Sequence, residues 1–145
     1  LKHSVNDFLT IIGAGLAGTE AAWQAAERGI PVVLYEMRSI TRTPAHKTDN
    51  CAELVCSNSL GNNLPHSAPY ILKEELRNLN SLVISAGDNN SVPAGSALAV
   101  DRDLFAKEIT DYGHKYEKEK NEKGLKLLNE YDSFVMEMEK KYPKP

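Results

Sequence analysis

The first patterned stretch of the chain is a short apolar run, Phe8-Leu9-Thr10-Ile11-Ile12, which predicts a strand. From Leu16 to about Arg28 the pattern turns helical, with Ala21, Ala22, Ala25 and Ala26 on one repeat. Gly29 stops this helix, and Ile30-Pro31-Val32-Val33-Leu34-Tyr35 predicts a second strand, of the buried type, that finishes at Glu36. A further helical pattern covers Pro69 to Leu79, and Asp101 has the chemistry of an N-cap for a helix from Arg102 to about Tyr112. The run Leu82-Val83-Ile84 fits either a strand or a short helix capped by Ser81. Beyond Gly113 the chain is rich in Lys and Glu, with Leu125, Leu128, Tyr131, Val135 and Met138 at helical spacing. That pattern predicts a charged amphipathic helix that needs a partner surface, either the open edge of the core or a second copy. The expected fold is therefore α/β: a Rossmann-like β-α-β segment over 1–112, followed by a helical tail over 113–145.

The turn between the first strand and helix reads Gly13-Ala14-Gly15-Leu16-Ala17-Gly18, the G-x-G-x-x-G order in its proper context. Gly13 would allow the tight turn, Gly15 would let the backbone approach a pyrophosphate, and Gly18 would let the helix lie close on the sheet. Helix amides would face the phosphates. Glu36 stands about twenty residues beyond the loop, where a carboxylate accepts ribose hydroxyls and repels a 2′-phosphate, so FAD or NAD is expected and NADP is not.

Composition narrows the class without adding a site. With 145 residues one domain is expected, and a formal net charge of −3 gives no global basic field for nucleic acid or an anionic membrane, so any RNA contact must be local. No apolar run reaches the length of a membrane span, and Leu1-Lys2-His3-Ser4 lacks the apolar core of a secretory signal; the expected location is the cytoplasm. Cys51 and Cys56 are too few and too close for a disulfide framework, and no Cys or His cluster at metal spacing accompanies them.

Residues 37–68 form a long polar loop, and loops of that length in a small domain are functional or disordered. Arg38, Arg42, His46, Lys47 and Asp49 precede Cys56-Ser57-Asn58-Ser59, small hydrogen-bonding side chains around a thiol. Read from composition alone, this is equally a solvated loop with an ordinary cysteine. Ser57, Asn58 and Ser59 could contact a flavin or merely satisfy turn amides; His46 and Lys47 could touch a carboxylate or phosphate or simply be solvated. Ser91 to Ala99, with Pro93 and Gly95, suits backbone lying close to a ligand, and Arg102 fits either FAD phosphate or ribose, or a surface ion pair.

The wording of these segments resembles one family. Gly13 to Trp23, Glu36-Met37-Arg38, Thr43 to Asp49, Ala52 to Leu60 and Val92 to Arg102 together resemble the bacterial folate- and FAD-dependent tRNA uracil-5-methyltransferases, TrmFO, within the GidA/MnmG-like flavoproteins. The resemblance runs from about Phe8 to about Ile109. It implies FAD as cofactor, methylenetetrahydrofolate as one-carbon donor, NAD(P)H as a further co-substrate, and a T-loop uridine of tRNA as acceptor. Uracil C5 becomes nucleophilic once a group adds at C6, and a thiolate suits that step. The resemblance makes Cys56 the catalytic thiol, attacking uracil or trapping the flavin adduct. It places Gly13, Gly15, Gly18, Glu36, Arg38, Ser57, Asn58, Ser59 and Arg102 around the cofactor. Cys51 stands where the family commonly has an aromatic and reads as a packing residue.

Family members are several-fold longer, so the resemblance also implies an incomplete FAD fold: a fragment, a decayed copy or an altered tail. Two other readings stay open: a generic FAD- or NAD-binding oxidoreductase fragment, and a non-catalytic dinucleotide-binding or interaction module built around the C-terminal helix.

Overall fold

A computed structural model describes residues 8–38, 40–119 and 126–128. Strand β1 (Leu9–Ile12) leads through the glycine turn into helix α1 (Leu16–Glu27), which returns to β2 (Val32–Tyr35). The two strands pair in parallel, Leu9 opposite Val32 and Ile12 opposite Tyr35. The chain then runs through the long loop to β3 (Ser59–Asn62), α2 (Ala68–Asn78), α3 (Leu82–Asn89), β4 (Ser91–Val92), β5 (Ala97–Val100) and α4 (Arg102–Glu119). The last described strand, β6 (Lys126–Leu128), lies parallel to β2, so the first sheet has the order β1-β2-β6. A second, antiparallel sheet has the order β3-β5-β4.

Local chemistry explains the helix starts. Ser67 and Ser81 each accept a hydrogen bond from the backbone three residues on, Tyr70 and Ile84, which caps α2 and α3. The Ser81 cap decides the ambiguous Leu82-Val83-Ile84 run in favour of a helix. Asp101 accepts from the amides of Asp103 and Leu104 and starts α4 as expected.

The core is shared by both sheets. Val32 and Leu34 of β2, Ala22, Ala25 and Ala26 of α1, Leu82 and Ala86 of α3, Val100 of β5, and Phe105 and Ile109 of α4 form one buried cluster. The alanines let α1 lie close on β2. Glu20 then fixes α1 to α3, accepting from Ser81 Oγ and the Val83 amide, both at 2.9 Å. Trp23 Nε1 donates to Asn80 O at 3.0 Å on the same side. Lys73, buried on α2, donates to the carbonyls of Leu60, Asn62 and Pro69 and so ties that helix to β3.

Three expectations change. Lys126–Leu128, inside the segment expected to be an amphipathic helix, is a strand, because the backbone of β2 offers a parallel edge that no helical periodicity reports. Leu125, Tyr131, Val135 and Met138 lie outside the described residues. Helix α4 continues through position 112 to Glu119, so the expected division at 112/113 falls inside a helix. The Ser91 to Ala99 segment, expected as backbone close to a ligand, is largely a hairpin: Val92 pairs with Ala99 and Ser91 with Val100.

Candidate functional site

The glycine turn is built from backbone necessity. Gly13 takes φ +93°, a left-handed conformation, and its amide donates to Tyr35 O at 2.8 Å, closing the turn over the end of β2. At Gly18 a Cβ would stand 1.9 Å from Gly13 O, so only glycine permits the helix to approach this closely. Gly15 is different. Its backbone is ordinary, at φ −73°, and a Cβ there would meet nothing within 4 Å. No side chain caps the start of α1. The protein thus keeps an open space over free helix amides, the arrangement that accepts a phosphate.

Ala14, fully buried between the glycines, is the hub of the site. Its amide donates to Glu36 Oε2 at 2.7 Å. Its carbonyl receives the Ala52 amide at 2.8 Å, Thr19 Oγ1 at 3.1 Å and Arg38 Nη2 at 3.1 Å. Ala52 holds φ +54°, which costs a residue with a Cβ about 1–2 kcal/mol, and this bond helps hold it there. The long loop is therefore pinned to the dinucleotide turn from below.

Glu36 lies at the end of β2 as expected, but it is already engaged. Oε2 accepts from Ala14 and from Arg38 Nη2 at 2.8 Å, while Oε1 accepts the Arg38 amide at 3.0 Å. A carboxylate has about four acceptor positions, so one on Oε1 remains for a ribose hydroxyl. Burial alone pushes this carboxyl up; the Arg38 guanidinium, the two amides and the Arg38 charge outweigh that and hold it at about 2, against the ordinary 4.5. Because the folded value is depressed, its contribution is present above pH 4.5 and is lost as pH falls from there toward 2. The contribution is on the order of 3 kcal/mol. The urea midpoint is expected to fall between pH 5 and pH 3, and Glu36→Gln should flatten that decline; an equally steep decline in the variant would assign it to other carboxylates.

Arg38 is 3% exposed and spends its guanidinium on Glu36, Ala14 O and, at 3.7 Å, Glu53. It shapes the site from within. Glu53 was not foreseen from the sequence. Its carboxylate accepts the Lys47 amide at 2.9 Å and the Thr48 amide at 3.3 Å, contacts that bring the middle of the loop onto its end. The signal that could have found it is its place in the Ala52 to Leu60 stretch that carries the family resemblance.

Two open cavities meet at Glu53. One, about 270 Å³, is lined by Gly13, Gly15, Glu36, Arg38 and His46. The other, about 830 Å³, is lined by Lys47, Leu54, Cys56, Ser57, Asn58 and Arg102. Cys56 is exposed there. Its polar neighbours are partly committed: Ser57 Oγ accepts the Ser59 amide, Ser59 Oγ accepts the Gly61 amide, and Asn58 Nδ2 donates to Val100 O. Those bonds shape the turn and attach it to β5. Arg102 Nη1 lies 3.5 Å from Leu54 O, at the outer limit of a hydrogen bond, so its exposed guanidinium is weakly held. His46 Nδ1 is paired with Thr43 Oγ1 at 2.6 Å. Cys51 sits on the other side of the loop, 6% exposed in the core, with its amide on Thr110 Oγ1. Burial pushes its thiol up, a pull that the nearby Arg38 charge only partly offsets.

The glucose inhibited division protein A family matches residues 8–131, a stretch that takes in the glycine turn, both cavities, α4 and β6. The chain belongs to this GIDA family. Its fold is the Rossmann-like, FAD-binding α/β type that the β-α-β turn displays. Similar relatives carry the name methylenetetrahydrofolate--tRNA-(uracil-5-)-methyltransferase TrmFO. The protein of Enterococcus faecalis is 62% identical over 103 residues, 71% of this chain and 24% of its own length. That of Bacillus pumilus is 61% identical over 107 residues, 74% and 25%; that of Bacillus licheniformis is 56% identical over 126 residues, 87% and 28%. The chain spans about a quarter of the length of these curated relatives. The GIDA match also runs past Ile109, where the sequence resemblance was expected to stop, and takes in β6 of the first sheet. No helix among the described residues is long and apolar enough to cross a membrane.

Proposed function

We propose that this chain is the dinucleotide-binding segment of a TrmFO-type enzyme, which forms 5-methyluridine in tRNA from methylenetetrahydrofolate. The observation that carries the reading is the pair of cavities meeting at Glu53: a phosphate- and ribose-binding end at Gly15 and Glu36, and a thiol-bearing end at Cys56. An FAD molecule suits that division, with its ADP half over α1 and its ring system toward Cys56. When bound, FAD would carry the one-carbon unit and the reducing equivalents, with NAD(P)H as the source of the latter.

The chain's own residues do the rest. First-turn amides of α1 bind phosphate, and Oε1 of Glu36 accepts a ribose hydroxyl. Arg102, exposed and weakly held, is placed to meet an anionic group in the larger cavity. Cys56 supplies a thiol at the surface, where a uracil could reach it. Folate and tRNA are partners of the longer relatives by their name, and we assign them here through the same site; the cytoplasm, where tRNA is modified, is the corresponding location.

Purified protein is expected to bind FAD with quenching of flavin fluorescence. Glu36→Gln should weaken binding about tenfold or more, the loss of one charge-assisted hydrogen bond. Both substitutions remove the charge that faces buried Arg38, but Glu36→Ala is the poorer probe, because it also removes every acceptor for the Ala14 and Arg38 amides, where Gln keeps one oxygen. A protein that leaves flavin fluorescence unchanged at high micromolar FAD would overturn the cofactor assignment.

A further inference from the structure

We propose that Glu53 is a positioning residue that seats the Cys56 loop on the dinucleotide turn, so that a bound flavin nucleotide meets Cys56 at a fixed place. The proposal rests on the FAD reading above. Its basis is the location of one carboxylate between two sets of groups. On one side Glu53 gathers the Lys47 amide at 2.9 Å and the Thr48 amide at 3.3 Å; on the other it faces Arg38, whose second nitrogen holds Glu36 and Ala14 O. Glu53 is also the residue that lines both cavities.

Asn58, which bonds Val100 in both directions, attaches the Cys56 turn to β5 and not to the dinucleotide turn, and the side-chain ties within residues 42–49 do not replace Glu53 either. Arg42 and Asp49 form a bidentate pair, but both side chains are half exposed, where such pairs stabilise little. Thr43 and His46 bond only each other across three residues. The Ala52 amide on Ala14 O fixes the base of the loop, which is why removal of Glu53 is expected to loosen the loop without unfolding the protein. Distances rank the two functions of the carboxylate. The amide contacts, at hydrogen-bond length, outweigh the 3.7 Å approach to Arg38. Glu53→Gln keeps an acceptor for the amides and gives up only the weaker charge contact.

The test uses Cys56 as its own reporter, followed by peptide mass after alkylation with iodoacetamide; Cys51 is buried and is expected to react slowly. In the wild type, FAD at ten times its Kd is expected to slow Cys56 alkylation roughly tenfold, because only the free protein reacts. In Glu53→Ala, with FAD raised to ten times that variant's own Kd so that occupancy is equal, protection of Cys56 should drop below about twofold. Glu53→Gln should retain most of the protection. Equal protection in wild type and Glu53→Ala, at equal FAD occupancy, overturns the positioning role and leaves the cofactor reading standing. A wild type that takes up no FAD overturns the cofactor reading, and a second measurement then decides Glu53. Without ligand, exchange of the Lys47 and Thr48 amides should accelerate at least about tenfold in Glu53→Ala, and unchanged exchange overturns the seating role.

Discussion

Gly15→Val is expected to leave the protein folded and to remove FAD binding, whereas Gly18→Ala is expected to damage the fold itself. The two glycines lie three residues apart in one motif, yet they face different neighbours. At Gly15 a side chain enters open space at an ordinary backbone angle, so nothing in the protein resists it and only the ligand is displaced. At Gly18 the first added carbon meets the Gly13 carbonyl at 1.9 Å, a backbone atom that cannot swing aside. Helix α1 must then lift from β1, at about 3 kcal/mol or more, and its first-turn amides move with it. Thermal melting and FAD titration of both variants separate the effects. Gly15→Val should melt near the wild type and bind FAD at least about a hundredfold more weakly, roughly 2.7 kcal/mol. Wild-type affinity in Gly15→Val would remove the phosphate from this turn, and a wild-type melting temperature in Gly18→Ala would show that the close helix approach is not needed.

Cys56→Ala is expected to abolish folate-dependent methyl transfer to tRNA, and Cys51→Ala to leave it in place at lower stability. Because the chain spans about a quarter of its relatives, turnover is measured in a full-length relative carrying residues 8–109 of this protein. Cys56 lies exposed on the larger cavity with Arg102, where a nucleobase can reach it. Cys51 lies in the core among Ala22, Leu34, Leu82 and Ile109, and burial keeps its thiol protonated, which removes the nucleophile. Truncating it should cost about 1 kcal/mol through a small cavity, visible as a lower melting temperature with intact turnover. Turnover retained in Cys56→Ala would end the catalytic assignment; turnover lost in the still-folded Cys51→Ala would exchange the two roles.

Much of the first half of the site was legible along the chain because its signals are local. The G-x-G-x-x-G turn, the alanine face of α1, the strand finishing at Glu36, and the cap at Asp101 each depend on residues within a few positions of one another. Steric rules and capping chemistry act at that range. The four-residue stretch Ala97–Val100 was not legible, since small apolar residues fit many conformations and only pairing with β3 and β4 makes them a strand. Lys126–Leu128 misled for the same reason: helical spacing in a Lys- and Glu-rich segment is a local signal, while a parallel strand is defined by a neighbour far away in sequence.

The sequence by itself therefore determined the dinucleotide turn, its carboxylate and the difference in surroundings that marks Cys56 off from Cys51 by motif. Tertiary structure decided what those groups are free to do. It engaged three of the acceptor positions of Glu36, buried Arg38 between Glu36 and Glu53, made the Ala14 peptide the meeting point of three elements, and put Glu53 between the two cavities. Apart from the Glu36–Arg38 bonds, which span two positions, these are contacts between residues separated by a whole strand, helix or loop. Buried charges and peptide groups must find partners wherever the fold brings them together, and no spacing rule along the chain encodes that choice.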